Sequence, residues 1–312
     1  SSRDYPYVAP SSRPPERMWR YITLFVLTLI TTTLVGIEHY ASFYLGFRTS
    51  AELPFSYLEL AVRGFWYSLS ILAILGAHEF GHYYACRYYG VDASLPYFLP
   101  VPPVVLSGTL GAFIRIRQPF PSKRALFDIG IAGPIAGFVV LVPVLMIGMY
   151  LSRVIEVPKD FQGVLIELGE PLLFKVAAWL TFGPVPEGST VSMHPVAFAA
   201  WFGMLATTLN LFPVGQTDGG HISYAVLGGR SMFVSIGTVL CLVALSFLST
   251  SWMLWTVLMV AMLVMFGPRH PRSADEHVPL DRTRIWLAVF AVVVFALCFA
   301  PVPAEIIDLV KR

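Results

Sequence analysis

The chain has 312 residues, a mean hydropathy of +0.69, 56% hydrophobic residues and 13% charged ones. That charged share is about half of what a soluble domain carries, and with several long uncharged runs it excludes a soluble globular chain in favour of an integral membrane protein. A net charge of +2 implies no nucleic-acid partner, and the three cysteines (Cys86, Cys241, Cys298) form no C-x-x-C pair and read as small packing residues.

In chain order, residues 1–17 are polar and proline-rich and read as a tail on the cytoplasmic side. Tyr21–Ile37 carries no charge and predicts a first span, which with the loop after it forms a unit over 18–56. A second span is expected from about Tyr57, continuing as helix toward Gly90. Residues 91–124 hold Pro96, Pro100, Pro102 and Pro103 and the stretch Gly108–Arg117, whose latter half alternates apolar and basic residues. This predicts a short hairpin-like β element dipping into the membrane against the protein, where backbone must be shielded from lipid. Ile129–Tyr150 is an uncharged span opening on Gly130, Gly133, Pro134 and Gly137, a spacing that lets another helix approach. Residues 152–190 read as a mixed loop with a short apolar piece at Leu172–Thr181. A further span is expected from Pro195 to Phe212.

Ser231–Phe266 is uncharged and would be about 54 Å long as one helix, so it is expected to break near Ser249-Thr250-Ser251 into two spans. Ile285–Ala304 is the last. The fold class is thus an all-α polytopic membrane protein with about seven transmembrane helices (six to eight) plus the hairpin-like element. Residues 57–230 form the core and 231–312 are accessory spans. With seven spans, 14 of the 21 Lys and Arg residues fall on the side of the N-terminus, which makes that side cytoplasmic.

The second span delivers His78-Glu79-Phe80-Gly81-His82. On a helix, His78 and His82 project from one face, where both imidazoles can reach one Zn²⁺. Glu79 lies beside them, placed to hold a water and take its proton. With seven histidines and eleven glutamates in the chain, random placement gives roughly 0.005 such motifs. A catalytic zinc needs a third protein ligand. Tyr88 stands where a third histidine would, and no glutamate occurs between Glu79 and Glu156. The candidate is Asp218, acidic at the end of an uncharged span and followed by Gly219 and Gly220. Alone, Asp218 reads equally well as the N-cap of the next helix. Beside an H-E-x-x-H that lacks a ligand, it reads as the third donor.

The H-E-x-x-H in a membrane helix, with Asn210-Leu211-Phe212-Pro213-Val214-Gly215-Gln216-Thr217-Asp218-Gly219 some 130 residues later, resembles the site-2 protease family of intramembrane metalloproteases. Asn210, Pro213, Asp218 and Gly219 match that family's second motif, N-x-x-P-x-x-x-x-D-G. The likeness covers about 57–230, and the flanking spans and the segment at His194-Pro195 resemble the subgroup shared by bacteria and plastids. Residues 152–190 leave no room for the PDZ domain of many members, and nothing resembling a CBS domain follows the last span.

The resemblance implies one Zn²⁺ per chain held by His78, His82 and Asp218, with Glu79 as general base and Asn210 as a contributor to oxyanion stabilisation. It implies a bilayer setting, a transmembrane protein as substrate and cleavage within its span, in a bacterial inner membrane or, in a plant, a plastid membrane. The site would face the cytoplasmic side. Gly108, Gly111, Ala112 and Phe113, in the stretch like the family's Gly-rich region, are the candidate substrate-binding edge, offering strand pairing to an unwound helix. The rival readings are a transporter that moves Zn²⁺ or protons through the same ligands, and a non-proteolytic chaperone on the same scaffold. His221 reads as a polar contact one turn into the next helix, His194 as a loop-to-helix entry, and His270 with His277 as part of a solvated charged loop.

Overall fold

The computed structural model describes residues 17–48, 52–103, 107–158, 164–247, 250–267, 275, 278–302 and 304–308. All but the last residue of the expected tail, and most of the charged loop 268–284 with His270 and His277, lie outside the described residues.

The first two apolar runs become α1 (Met18–Leu45) and α2 (Tyr57–Tyr88). α2 starts where Ser56 and Glu59 form a reciprocal capping box, so the helix is anchored at the end far from the histidines. The two helices meet backbone to backbone. A Cβ on Gly36 would stand 2.2 Å from the Gly64 carbonyl oxygen, so only glycine permits this approach. Thr32 and Ser68 bond across the same seam at 2.6 Å.

Between α2 and α3 (Lys123–Leu151), β1 (Tyr97–Pro100) and β2 (Thr109–Phe113) pair antiparallel, as the hairpin expectation required. The hairpin lies on α1 and α2. Tyr97 stacks on Tyr21 with ring centroids 4.4 Å apart, Thr31 donates to the Gly108 carbonyl at 2.7 Å, and Tyr67 donates to the Ser107 carbonyl at 3.0 Å. Gly108 takes a positive φ of 68°, and a Cβ there would stand 2.8 Å from the Thr31 carbonyl oxygen. The small residues of α3 pack on the motif helix: a Cβ on Gly81 would fall 2.5 Å from the Ala132 carbonyl oxygen.

Next come β3 (Arg153–Glu156), β4 (Val164–Leu168), α4 (Leu172–Phe182), β5 (Ser189–Ser192) and α5 (Pro195–Leu211). A Cβ on Gly148 would meet the Ala197 amide nitrogen at 2.3 Å, so α5 lies hard against α3. α6 (Asp218–Leu227) ends at Gly228, whose φ is 59°, and a single 3₁₀ turn leads into α7 (Ser231–Ser246). α8 (Ser251–Phe266), α9 (Arg282–Cys298) and β6 (Ala304–Asp308) complete the chain. The core is filled by Phe127, Leu141, Leu145, Met149, Met204 and Val214, all fully buried.

One expectation is met in part and one needs correction. Among the described residues, four stretches are long and apolar enough to cross a membrane: Met18–Leu45, Tyr57–Tyr88, Lys123–Leu151 and Asp218–Ser246. The chain is a multi-pass membrane protein, mostly helical, but length and composition do not yield seven crossings. Helices stand at all seven expected places; α5, α7, α8 and α9 are only 16 or 17 residues long. The fourth stretch is itself bent at Gly228. The correction concerns strands. The stretch 152–190 is no mere loop, since β3 pairs with β5 and β4 with β6, both antiparallel. β6 begins at Ala304, where the last span was expected to end. The break expected at 249–251 falls between α7 and α8; Ser249 lies outside the described residues.

Candidate functional site

His78 and His82 stand one turn apart on α2, and the ring nitrogens Nε2 of the two are 3.1 Å apart. Asp218 approaches them from α6, its Oδ2 3.1 Å from His78 Nε2 and 3.2 Å from His82 Nε2. Both histidines and Glu79 are buried. Among the described residues, His78, His82 and Asp218 form the group whose donor atoms converge closely enough to hold a metal ion.

The donor set fits zinc. Two imidazole nitrogens and a carboxylate oxygen are ordinary zinc donors, bonded at about 2.0–2.1 Å, and a tetrahedron with such bonds has edges of about 3.3–3.4 Å. The triangle of 3.1 and 3.2 Å edges is close to one face of it, with the fourth vertex left for another ligand. A carboxylate buried against two imidazoles also calls for a compensating positive charge.

Each donor is held by backbone. His82 Nδ1 lies 2.7 Å from the Ile129 carbonyl oxygen, which makes Nδ1 the protonated nitrogen and leaves the Nε2 lone pair facing the other donors. α3 crosses the ring so closely that a Cβ on Gly133 would stand 2.1 Å from His82 Nε2, and one on Gly137 would stand 3.2 Å from His78 Cβ. Asp218 is not the N-cap of α6. Thr217 takes that role: its Oγ1 accepts from the Gly220 amide at 3.0 Å and donates to the Val214 and Phe212 carbonyls. Asp218 is thereby freed to point at the histidines from the first turn. The first turn of α6 lies hard against the end of α5, since a Cβ on Gly219 would stand 2.1 Å from the Leu211 carbonyl oxygen.

Glu79 faces a cavity of about 110 Å³ shared with His78, and the backbone N–H of Ile114 approaches its carboxylate. Asn210, near the end of α5, brings its Nδ2 within 3.2 Å of His78 Nε2 and lines the same cavity. Gly111 and Ala112 of β2 close the opposite side. Gly108 and Phe113 do not line it. Gly108 serves the packing on α1, and the Phe113 ring stacks on Tyr97 with centroids 5.3 Å apart. Among the described residues, His221 lies one turn into α6 beside Phe120, and His194 caps the far end of α5, accepting from the Val196 amide.

Sequence reasoning missed Leu110, Gly203, Ala206 and Thr207, which also line the cavity. On α5 the last three stand with Asn210 at spacings of three, four and seven residues, one helical face. It also missed Ile129, whose contribution is a carbonyl and so leaves no trace in residue type.

The model of peptidase family M50 matches residues 66–251, more than half of the chain. The chain is 29% identical to "probable zinc metalloprotease EGY2, chloroplastic" of Arabidopsis thaliana over 232 residues, 73% of this chain and 40% of that protein. It is 30% identical to "probable zinc metalloprotease EGY1, chloroplastic" of Oryza sativa subsp. japonica over 244 residues, 70% of this chain and 40% of the other. A third relative, "probable zinc metalloprotease EGY2, chloroplastic" of Oryza sativa subsp. indica, is 33% identical over 180 residues, 56% of this chain and 32% of the relative. The chain thus spans about 40% of the length of the first two. No solved structure matches it.

Proposed function

Since the chain belongs to peptidase family M50, the site-2 protease family, we propose that it is an intramembrane zinc endopeptidase that cleaves the transmembrane segment of a membrane protein, as in regulated intramembrane proteolysis. The observation that carries this reading is the triangle of His78, His82 and Asp218, with His78, Glu79 and the β2 edge on one cavity. A transport route would not require a glutamate and a strand edge to share that cavity.

In this reading His78, His82 and Asp218 hold one zinc ion. When bound, the ion supplies Lewis acidity to an attacking water and to the scissile carbonyl. Glu79 takes the proton from that water and delivers it to the leaving amine. Burial of Glu79 against apolar walls keeps bulk water from competing for the proton. The Asn210 amide donates to the oxyanion that develops on the carbonyl. Ile129 holds His82 in the tautomer that ligation requires. The substrate helix must open before attack, because its carbonyls are engaged in the helix. Gly111 and Ala112 offer it a strand partner at the cavity, which restores part of the lost hydrogen bonding.

The arrangement in the membrane follows the same proposal. Seven crossings put the N-terminus and the zinc site toward the cytoplasmic side, supported by the two-to-one excess of Lys and Arg there. Residues 57–230 act as the proteolytic core, 18–56 as its first span and loop, and 231–312 as accessory spans. The membrane is a bacterial inner membrane or, as the names of the relatives suggest, that of a plastid. The test is to purify wild type and Glu79→Gln in detergent, measure zinc, and offer both a panel of single-span substrates. About one zinc per chain in both with cleavage by wild type alone is the expected result; zinc in neither overturns it.

A further inference from the structure

Much of the lining of the cavity beside the metal group is apolar and comes from three helices. Gly203 and Ala206 come from α5, Gly137 from α3 and Ile74 from α2, while Leu110 of β2 forms the lip. Thr207 commits its hydroxyl to the Gly203 carbonyl at 2.8 Å, so this wall presents no polar group in need of a partner. The metal-facing end is different, with His78, Glu79 and Asn210. A chain laid along β2 would present alternate side chains to opposite faces, and one of them would enter this space next to the attacked bond.

Resting on the proteolytic reading, we infer that this cavity selects one substrate side chain, taking a branched aliphatic residue and refusing aromatic ones. Its volume is about 110 Å³, whereas an apolar cavity of about 150 Å³ is what holds a benzene ring. Ala206 sets the depth and Leu110 the width. A Cβ at Gly203 would stand 3.1 Å from Ile74 and 3.2 Å from Leu141, so a larger residue there would have to displace those side chains.

The experiment compares wild type, Ala206→Leu and Leu110→Ala, each loaded with zinc. Two readouts are taken. One is cleavage of single-span substrates that differ only in Ala, Leu or Phe at a scanned position. The other is inhibitor binding by calorimetry, with peptide hydroxamates that carry methyl, isobutyl or benzyl groups. Wild type is expected to prefer the isobutyl compound over both others by at least about tenfold, the range a well-fitted apolar pocket gives. Ala206→Leu should reverse the preference toward methyl, and Leu110→Ala should admit benzyl, with zinc content unchanged in both. Three hydroxamates binding wild type within twofold of one another, or variants that bind zinc but keep the wild-type ranking, would overturn the pocket. Ranked binding without cleavage of any substrate would support the pocket and count against proteolysis alone.

Discussion

Gly133→Ala should disarm the metal centre while leaving the fold in place. Position 133 has ordinary helical backbone, so on propensity alone the change stabilises α3 by roughly 0.5–1 kcal/mol. The new methyl carbon, however, would stand 2.1 Å from His82 Nε2, 2.4 Å from Cδ2 and 2.5 Å from Cε1. To reach ordinary contact the ring must retreat by roughly 1.3 Å, while zinc sites tolerate about 0.2 Å in ligand distance. The retreat also pulls Nδ1 off the Ile129 carbonyl, 2.7 Å away in the native arrangement. Loss of an orienting contact alone weakens metal binding about 10–100-fold. Loss of the ligand with it should reach at least about 100-fold, or about 2.7 kcal/mol. The assay is zinc affinity by competition with a fluorescent chelator in detergent. The matched control is Gly237→Ala on α7, where a Cβ meets nothing within 4 Å; it should hold zinc as wild type does. Wild-type zinc affinity in Gly133→Ala would show that the ring is not held against α3 and would refute the argument.

Thr217→Val should remove the cap of α6, costing about 1 kcal/mol in helix stability and weakening zinc binding through Asp218, read as a lower thermal midpoint and a faster loss of zinc to chelator. Arg284→Met should unfasten α9 from α3, since Arg284 Nε donates to Asp128 Oδ1 at 2.8 Å and a second guanidinium nitrogen binds Oδ2. The thermal midpoint should fall by more than in Arg284→Lys, which keeps the charge without the two-pronged geometry. Removing zinc by dialysis against chelator should lower the melting temperature of wild type by an amount that grows with the zinc concentration used for comparison, and leave Asp218→Asn unmoved.

What could be read in the sequence was the chemistry that residue types carry. His78, Glu79, His82 and Asp218 stand out because such groups are costly inside a membrane. The strand-like alternation that pointed to a hairpin lies at Ile114–Arg117, just after the strand β2, Thr109–Phe113, that forms it. The features that escaped are those written in backbone or in distance along the chain. Ile129 acts through a carbonyl, and Thr217 hid behind the neighbouring Asp218 as the more obvious capping residue. β3 and β5 are four residues each, too short to show a period, and β4 finds its partner in β6 some 140 residues away.

The knot of Tyr89, Asp128 and Arg284 has a consequence for what counts as the smallest working unit. Tyr89 closes α2, Asp128 stands on α3 and Arg284 on α9, and their side chains are joined by hydrogen bonds and an ion pair. The family match ends at 251, so the guanidinium that answers Asp128 comes from beyond it. At the other end, Tyr21 and Thr31, which seat the hairpin, precede residue 66. A fragment trimmed to the matched region would keep every metal donor. It would nonetheless lose part of the hairpin's support and leave a carboxylate one residue from Ile129 without its countercharge. The two motifs are thus braced by residues that lie outside the matched region.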